Sequence, residues 1–199
     1  MAADQNHVVT IPEVSTNRLQ LRGWRDADRA PFAAMNADPM VMEHFPAPLD
    51  RAASDALVDR FLEHWAEHGF GIWAVERRSD AQFIGFAGMY RPAFEAHFTP
   101  AVEVGWRLAR EAWGHGYATE AGAAALRFGF EHARLDEIVS FTVPANERSW
   151  RVMERIGMHR DPAGDFDHPR IPPGHRLRRH VLYRLGREEW LRTRADAQT

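Results

Sequence analysis

Residues 102–108 read VEVGWRL, residues 113–121 WGHGYATEA and residues 144–158 PANERSWRVMERIGM. The first lies in a strand-like run, Ala101–Leu108, and the second is a glycine turn opening an alanine-rich helix predicted over Glu120–His132. A β-branched strand follows at Glu137–Val143, then a helix over Glu147–Ile156 that stops at Gly157. Outward from this unit, RLQLRGW (18–24) alternates as a strand buried on one face does. Asp26 is placed to cap a short helix over Arg29–Ala37, which Asp38-Pro39 ends. Asp50 caps a second helix, with Leu57, Phe61 and Trp65 on one face and Gly69 as its stop. Phe70–Arg77 and Gln82–Met89 form an antiparallel hairpin through Ser79-Asp80, and His180–Leu185 is the last β-type run. The order β, α, α, β, β, β, α, β, α, β predicts an α/β (α+β mixed) fold, a mixed sheet with helices packed on it.

The turn Gly114-His115-Gly116-Tyr117-Ala118-Thr119 falls between a strand and a helix. Successive N–H groups there, at the positive end of the helix dipole, suit a pyrophosphate, and the Thr119 hydroxyl adds a donor. A G-x-G turn alone is equally an ordinary turn. A dinucleotide-binding fold would want a third glycine at Thr119 and the turn near the start of a parallel sheet, whereas here it follows hairpins.

The three quoted stretches, in this order and at these separations, resemble the GNAT acetyltransferases, specifically the RimJ/RimL-like branch; the likeness spans roughly residues 17–190 and includes the terminal HVLYRLGREEW (180–190). The resemblance implies a GNAT-like fold: a central mixed, mostly antiparallel twisted sheet, flanked by helices, in which two parallel strands, 101–108 and 137–143, splay around acetyl-CoA. It also implies that backbone groups of Trp106 and Leu108 hold the pantetheine and acetyl group, that the amides of Gly114, His115, Gly116, Tyr117, Ala118 and Thr119 hold the pyrophosphate, and that Asn146 bonds the pantetheine arm. Many members carry Gln or Arg where Glu111 stands, which leaves Arg110 and His115 as nearby phosphate partners.

Making an amide from a thioester needs an unprotonated amine, a donor for the oxyanion and a proton for the thiolate. By resemblance Glu103 takes the amine proton directly or through water; the competing reading is an ordinary edge or ion-pairing glutamate. Ser149, three residues after Asn146, approaches the CoA sulfur in the same branch and would steady or protonate the thiolate, against a plain helix-capping role. Tyr117 belongs to the phosphate turn instead, and a backbone N–H of Val104–Trp106 is the expected oxyanion donor. No acyl-enzyme is required.

With 199 residues, 45% of them hydrophobic, the chain can bury one ordinary core. The expected organisation is a flexible segment at 1–16, a single acetyltransferase domain at 17–190 and a flexible tail at 191–199. There is no cysteine and all 25 basic residues are arginine, so disulfides, thiolate sites, Schiff bases and a lysine P-loop are excluded, and a reducing cytoplasm suits the composition. A net charge of -3 gives no broad reason to expect nucleic acid, and no apolar run spans a bilayer. Asp165, Asp167, His168 and His175 cluster in DFDHPRIPPGH (165–175) but match no zinc spacing, so no metal is expected, although a histidine there remains an alternative base. The eight arginines against two glutamates over 170–194 read as a solvated run, and Trp65, Trp73, Phe83 and Phe86 as core.

The expected activity is transfer of an acetyl group from acetyl-CoA to a primary amine, of a protein N-terminus or a small molecule. The alternative is a non-catalytic acyl-CoA-binding or protein-interaction module. Acceptor choice is expected to lie in 40–49, 92–100 and 161–178, and a homodimer would suit the branch.

Overall fold

The computed structural model describes residues 10–196. Its elements are β1 (Val14–Ser15), β2 (Leu19–Arg22), α1 (Asp26–Ala37), α2 (Arg51–His68), β3 (Ile72–Arg77), β4 (Gln82–Tyr90), β5 (Glu103–Leu108), a 3-10 turn (Arg110–Ala112), α3 (Tyr117–Glu131), β6 (Glu137–Thr142), α4 (Glu147–Arg155), β7 (His159–Asp167), β8 (Arg179–Gly186) and α5 (Arg187–Asp196). The strands form one sheet in the order β1-β2-β3-β4-β5-β6-β8-β7. Every pairing is antiparallel except β5 with β6, which is parallel and registers only Glu103 with Val139. That is the mixed sheet with a splayed parallel pair that the resemblance implies.

Two layers of helix cover the sheet. Against one face lies α3, whose Ala121, Ala124 and Ala125 are buried and whose glycines allow close approach: a Cβ on Gly129 would stand 2.6 Å from Ile138 Cδ1. On the other face α1 and α2 bury Phe32, Met35, Val58 and Phe61 with Ile72 and Phe86. Leu57, Phe61 and Trp65 of α2 turn inward as their spacing requires; Asp50 accepts from the Ala53 amide at 2.7 Å, and Gly69 closes the helix at φ 70.

Four sequence expectations change. Arg25, not Asp26, is the N-cap of α1, and the Asp28 carboxylate reaches back to the Arg25 amide at 2.8 Å. β7 is a strand that the element order read from the sequence leaves out; Pro162 and Gly164 break its alternation, and its register with β8 shifts between Asp161 and Phe166. Residues 191–196, expected as tail, continue α5, which Trp190 anchors on Phe130 at 5.2 Å between ring centroids. Thr10–Thr16, expected as part of a flexible segment, includes β1, and the Pro12 carbonyl accepts from Trp73 Nε1 at 2.7 Å; the remainder of that segment lies outside the described residues.

Arg22 fastens α1 to the sheet. Its guanidinium, 3% exposed, grips both oxygens of Asp28 at 2.7 and 2.9 Å and Glu76 at 2.7 Å. Removing one member strands buried charge. Asp28→Ala should therefore cost about 3 kcal/mol, seen as a drop of roughly 10 °C in melting temperature.

Candidate active site

The cleft is made by strand divergence. Even-numbered residues of β5 turn their backbone groups toward β6: the Val102 carbonyl accepts from the Val139 amide at 2.8 Å, and the Val104 carbonyl from the Ser140 hydroxyl at 2.8 Å. By the alternation of a strand, Trp106 and Leu108 present theirs on the same side, past the last β5–β6 pairing. Their amides thus open into the widening gap, where an amide-bearing chain can take the place of a strand. Buried Ser140, which sequence reading missed, pins the narrow end.

At the mouth, Gly114 (φ 80) and Gly116 (φ 78) hold left-handed backbone, and Gly116 serves as N-cap of α3 with no side-chain cap. None of the amides from Gly114 to Thr119 has an acceptor among the described residues. Six successive unpartnered donors at a helix start have the chemistry an anion would need. The side chains of Arg110 and His115 make no hydrogen bond among the described residues, which leaves both available to a phosphate. The turn is braced by Arg18, from the entry to β2, which donates to the His115 carbonyl at 2.8 Å, pairs with Glu120 at 2.6 Å and lies over the Tyr117 ring at 4.8 Å. No local pattern reveals it, because the contact closes a loop of nearly a hundred residues.

Asn146 caps α4: its Oδ1 accepts from the Ser149 amide at 3.4 Å while its Nδ2 donates to Thr142 Oγ1 at 3.0 Å. One amide hydrogen and one lone pair remain for a ligand. The cap is therefore Asn146, and the Ser149 hydroxyl makes no hydrogen bond among the described residues. Arg148 beside it lies over the Trp113 ring at 4.4 Å, joining α4 to the glycine turn.

On the opposite face of β5 stand Glu103, Gly105 and Arg107, registered against Tyr90, Gly88 and Phe86 of β4. Glu103 makes no hydrogen bond or ion pair among the described residues, and burial alone pushes its carboxyl up to about 8. The ion-pairing alternative therefore has no partner here. Gly105 leaves room beside the carboxylate: a Cβ on Gly105 would meet nothing nearer than Glu103 Oε1, at 3.8 Å.

Two histidines, His168 and His64, are weakened as bases by burial. Burial lowers His168 to about 4, and its Nδ1 accepts from the Arg170 amide. Burial likewise lowers His64 to about 4, with both ring nitrogens engaged, by the Phe70 carbonyl and the Arg91 amide. Asp165 and Asp167 are paired with Arg160 and Arg178.

The three segments expected to choose the acceptor converge. Phe94 and Phe98 pack on Phe166, with centroids at 6.0 and 4.9 Å, and Arg170 donates to the Ala93 carbonyl. Arg176 donates to the Glu43 carbonyl at 2.8 Å. Phe141, on the same face of β6 as Val139, joins Phe98 at 5.9 Å, so an aromatic wall stands on the Glu103 side of the cleft.

Residues 18–159 match the acetyltransferase (GNAT) domain family, and the chain belongs to that family of acetyl-CoA-using acetyltransferases. Relatives include the uncharacterized protein YkkB of Bacillus subtilis, 32% identical over 72% of this chain and 83% of that protein. Another is the FsC-acetyl coenzyme A-N(2)-transacetylase of Aspergillus fumigatus, 29% identical over 94% of this chain and 82% of the relative. Among solved structures, a GNAT-family acetyltransferase from Bacillus anthracis superposes with a TM-score of 0.74 at 26% identity, covering 89% of this chain and all of that one. Among the described residues no helix is long and apolar enough to cross a membrane.

Proposed function

We propose that this acetyltransferase passes the acetyl group of acetyl-CoA directly to a primary amine, of a small molecule or a protein N-terminus, within a ternary complex. The observation that carries this reading is Glu103: an unpaired carboxyl with raised proton affinity, beside open space, on the strand that leaves its partner. Acetyl-CoA lies between β5 and β6, its pantetheine along Trp106 and Leu108 with Asn146 opposite, and its pyrophosphate on the amides from Gly114 to Thr119. It supplies the activated acyl group. The amine enters from the Gly105 side and gives its proton to ionised Glu103, directly or through water. A backbone amide of Val104–Trp106 receives the oxyanion. The Ser149 hydroxyl protonates or steadies the departing thiolate.

One transferase domain spans 17–190 in this reading, of the RimJ/RimL-like type suggested by its three motifs. If Ser149 serves the thiolate, Ser149→Ala lowers kcat about 10-fold while acetyl-CoA affinity stays within a factor of two, because only the transition state loses a donor. Steady-state kinetics beside calorimetry check this, and an unchanged kcat would remove Ser149 from the mechanism.

A further inference from the structure

The second ionisable group on the Glu103 face is Arg107, and the protein leaves it unbalanced. Its guanidinium lies 4.0 Å from the centroid of Phe45 and 5.3 Å from that of Phe86, so two rings bracket it. Nη1 donates to Asn36 Oδ1 at 2.7 Å, and Asn36, fully buried, is itself fixed by donating to Ser54 Oγ at 2.9 Å. The Nε is buried with no partner, and among the described residues the one hydrogen bond of the side chain is that of Nη1, which leaves Nη2 without one. Burial draws this guanidinium down to about 10, with no carboxylate near enough to oppose the effect. A side chain held at one edge by Asn36, lying over two rings and unpartnered along its Nε–Nη2 fork, is preorganised for a planar anion.

We propose that the acceptor is an amine that also bears a carboxylate, bound by the free fork of Arg107 while its amine lies at Glu103. This deepens the acetyl-transfer reading and rests on it. Four residues along a strand separate the two Cα atoms by roughly 13 Å, with Gly105 and Gly88 as the low floor between them. Glu103 extends toward Gly105, its Oε1 3.8 Å from where a Cβ there would stand, and the chain length of the aminocarboxylate is what the series below reads. Arg107 has only neutral neighbours, Asn36, Phe45 and Phe86, so its single charge matches a carboxylate better than a phosphate dianion.

The test is a series of α- and ω-amino acids, each set beside its carboxamide, the diamine of equal length and phosphoethanolamine, with acetyl-CoA binding followed in parallel by calorimetry. The acid should exceed its amide at least about 10-fold in kcat/KM, and Arg107→Gln should erase that ratio by lowering the acid's value about 30-fold and the amide's far less. Arg107→Met, which fills the same slot between the rings, must erase it too, and serves if Arg107→Gln folds poorly. Glu103→Gln should lower acid and amide by the same factor and leave the ratio intact.

Preference for amides, diamines or phosphoethanolamine would overturn the proposal, as would an equal loss for acid and amide in the Arg107 variants. If no compound turns over, saturation-transfer NMR on the acetyl-CoA-loaded protein decides, and failure of the acids to bind selectively overturns it. Acetyl-CoA that binds without any carboxylate preference defeats the Arg107 site alone; acetyl-CoA that does not bind defeats the transfer reading beneath it.

Discussion

Glu103→Gln is expected to lower kcat/KM for the amine by 10²–10³-fold, roughly the contribution of a positioned general base, with acetyl-CoA affinity little changed. The pH profile makes the result specific. Because burial raises this carboxyl to about 8, it is mostly protonated at neutral pH and gains basic form as pH rises. Wild-type kcat/KM should climb through a limb near pH 8; the limb set by the amine's own ionisation persists in Glu103→Gln, while the Glu103 limb disappears. A profile identical in shape for both proteins would take the base role away.

The same burial has a stability consequence of opposite sign. The folded carboxyl holds its proton more tightly than the unfolded one, so the stability it contributes is complete below the unfolded value near 4.5 and is lost as pH rises through about 8. Glu103→Gln should be the more stable protein at pH 9, by roughly 1–3 kcal/mol, and nearly equal to wild type at pH 4. A substitution that costs activity and adds stability marks a group kept for chemistry.

Gly116→Trp should abolish measurable acetyl-CoA binding, a loss of at least about 100-fold, because the six unpartnered amides proposed to hold the pyrophosphate depend on this turn. Two effects combine. A non-glycine residue at φ 78 strains the turn by roughly 1–2 kcal/mol, and the indole crowds the start of α3. Gly116→Ala separates them, since it carries the strain without the bulk and should cost only a few-fold. Calorimetry on folded variants reads both, and full affinity in Gly116→Trp would place the pyrophosphate elsewhere.

Most of the fold was legible because its signals are local. Asp50 and Gly69 bound α2, the Leu57–Phe61–Trp65 spacing orients it, and the β3–β4 hairpin follows from two β-type runs and a short turn. β7 was not legible: Pro162 and Gly164 interrupt it, and only pairing with β8 makes it a strand. α5 was cut short because residues 191–196 have no apolar stripe and Trp190 is its buried apolar anchor. In the site, Glu103, the glycine turn, Asn146 and Ser149 were readable as motif positions. Their division of labour was not, since whether Asn146 or Ser149 caps α4 depends on side-chain direction. Arg18 and the Ser54–Asn36–Arg107 chain join residues far apart in sequence, and no periodicity records such contacts.

Acetyl transfer from acetyl-CoA to an amine can be followed by thiol release. The chain has no cysteine, so a thiol reagent reports only the CoA set free. Intact protein mixed with acetyl-CoA and a panel of primary amines should release thiol in an amine-dependent, saturable manner, with acetylated amine appearing in equal amount. Acetyl-CoA that binds yet yields no amine-dependent thiol across the panel would contradict the account and leave an acyl-CoA-binding module on the same fold.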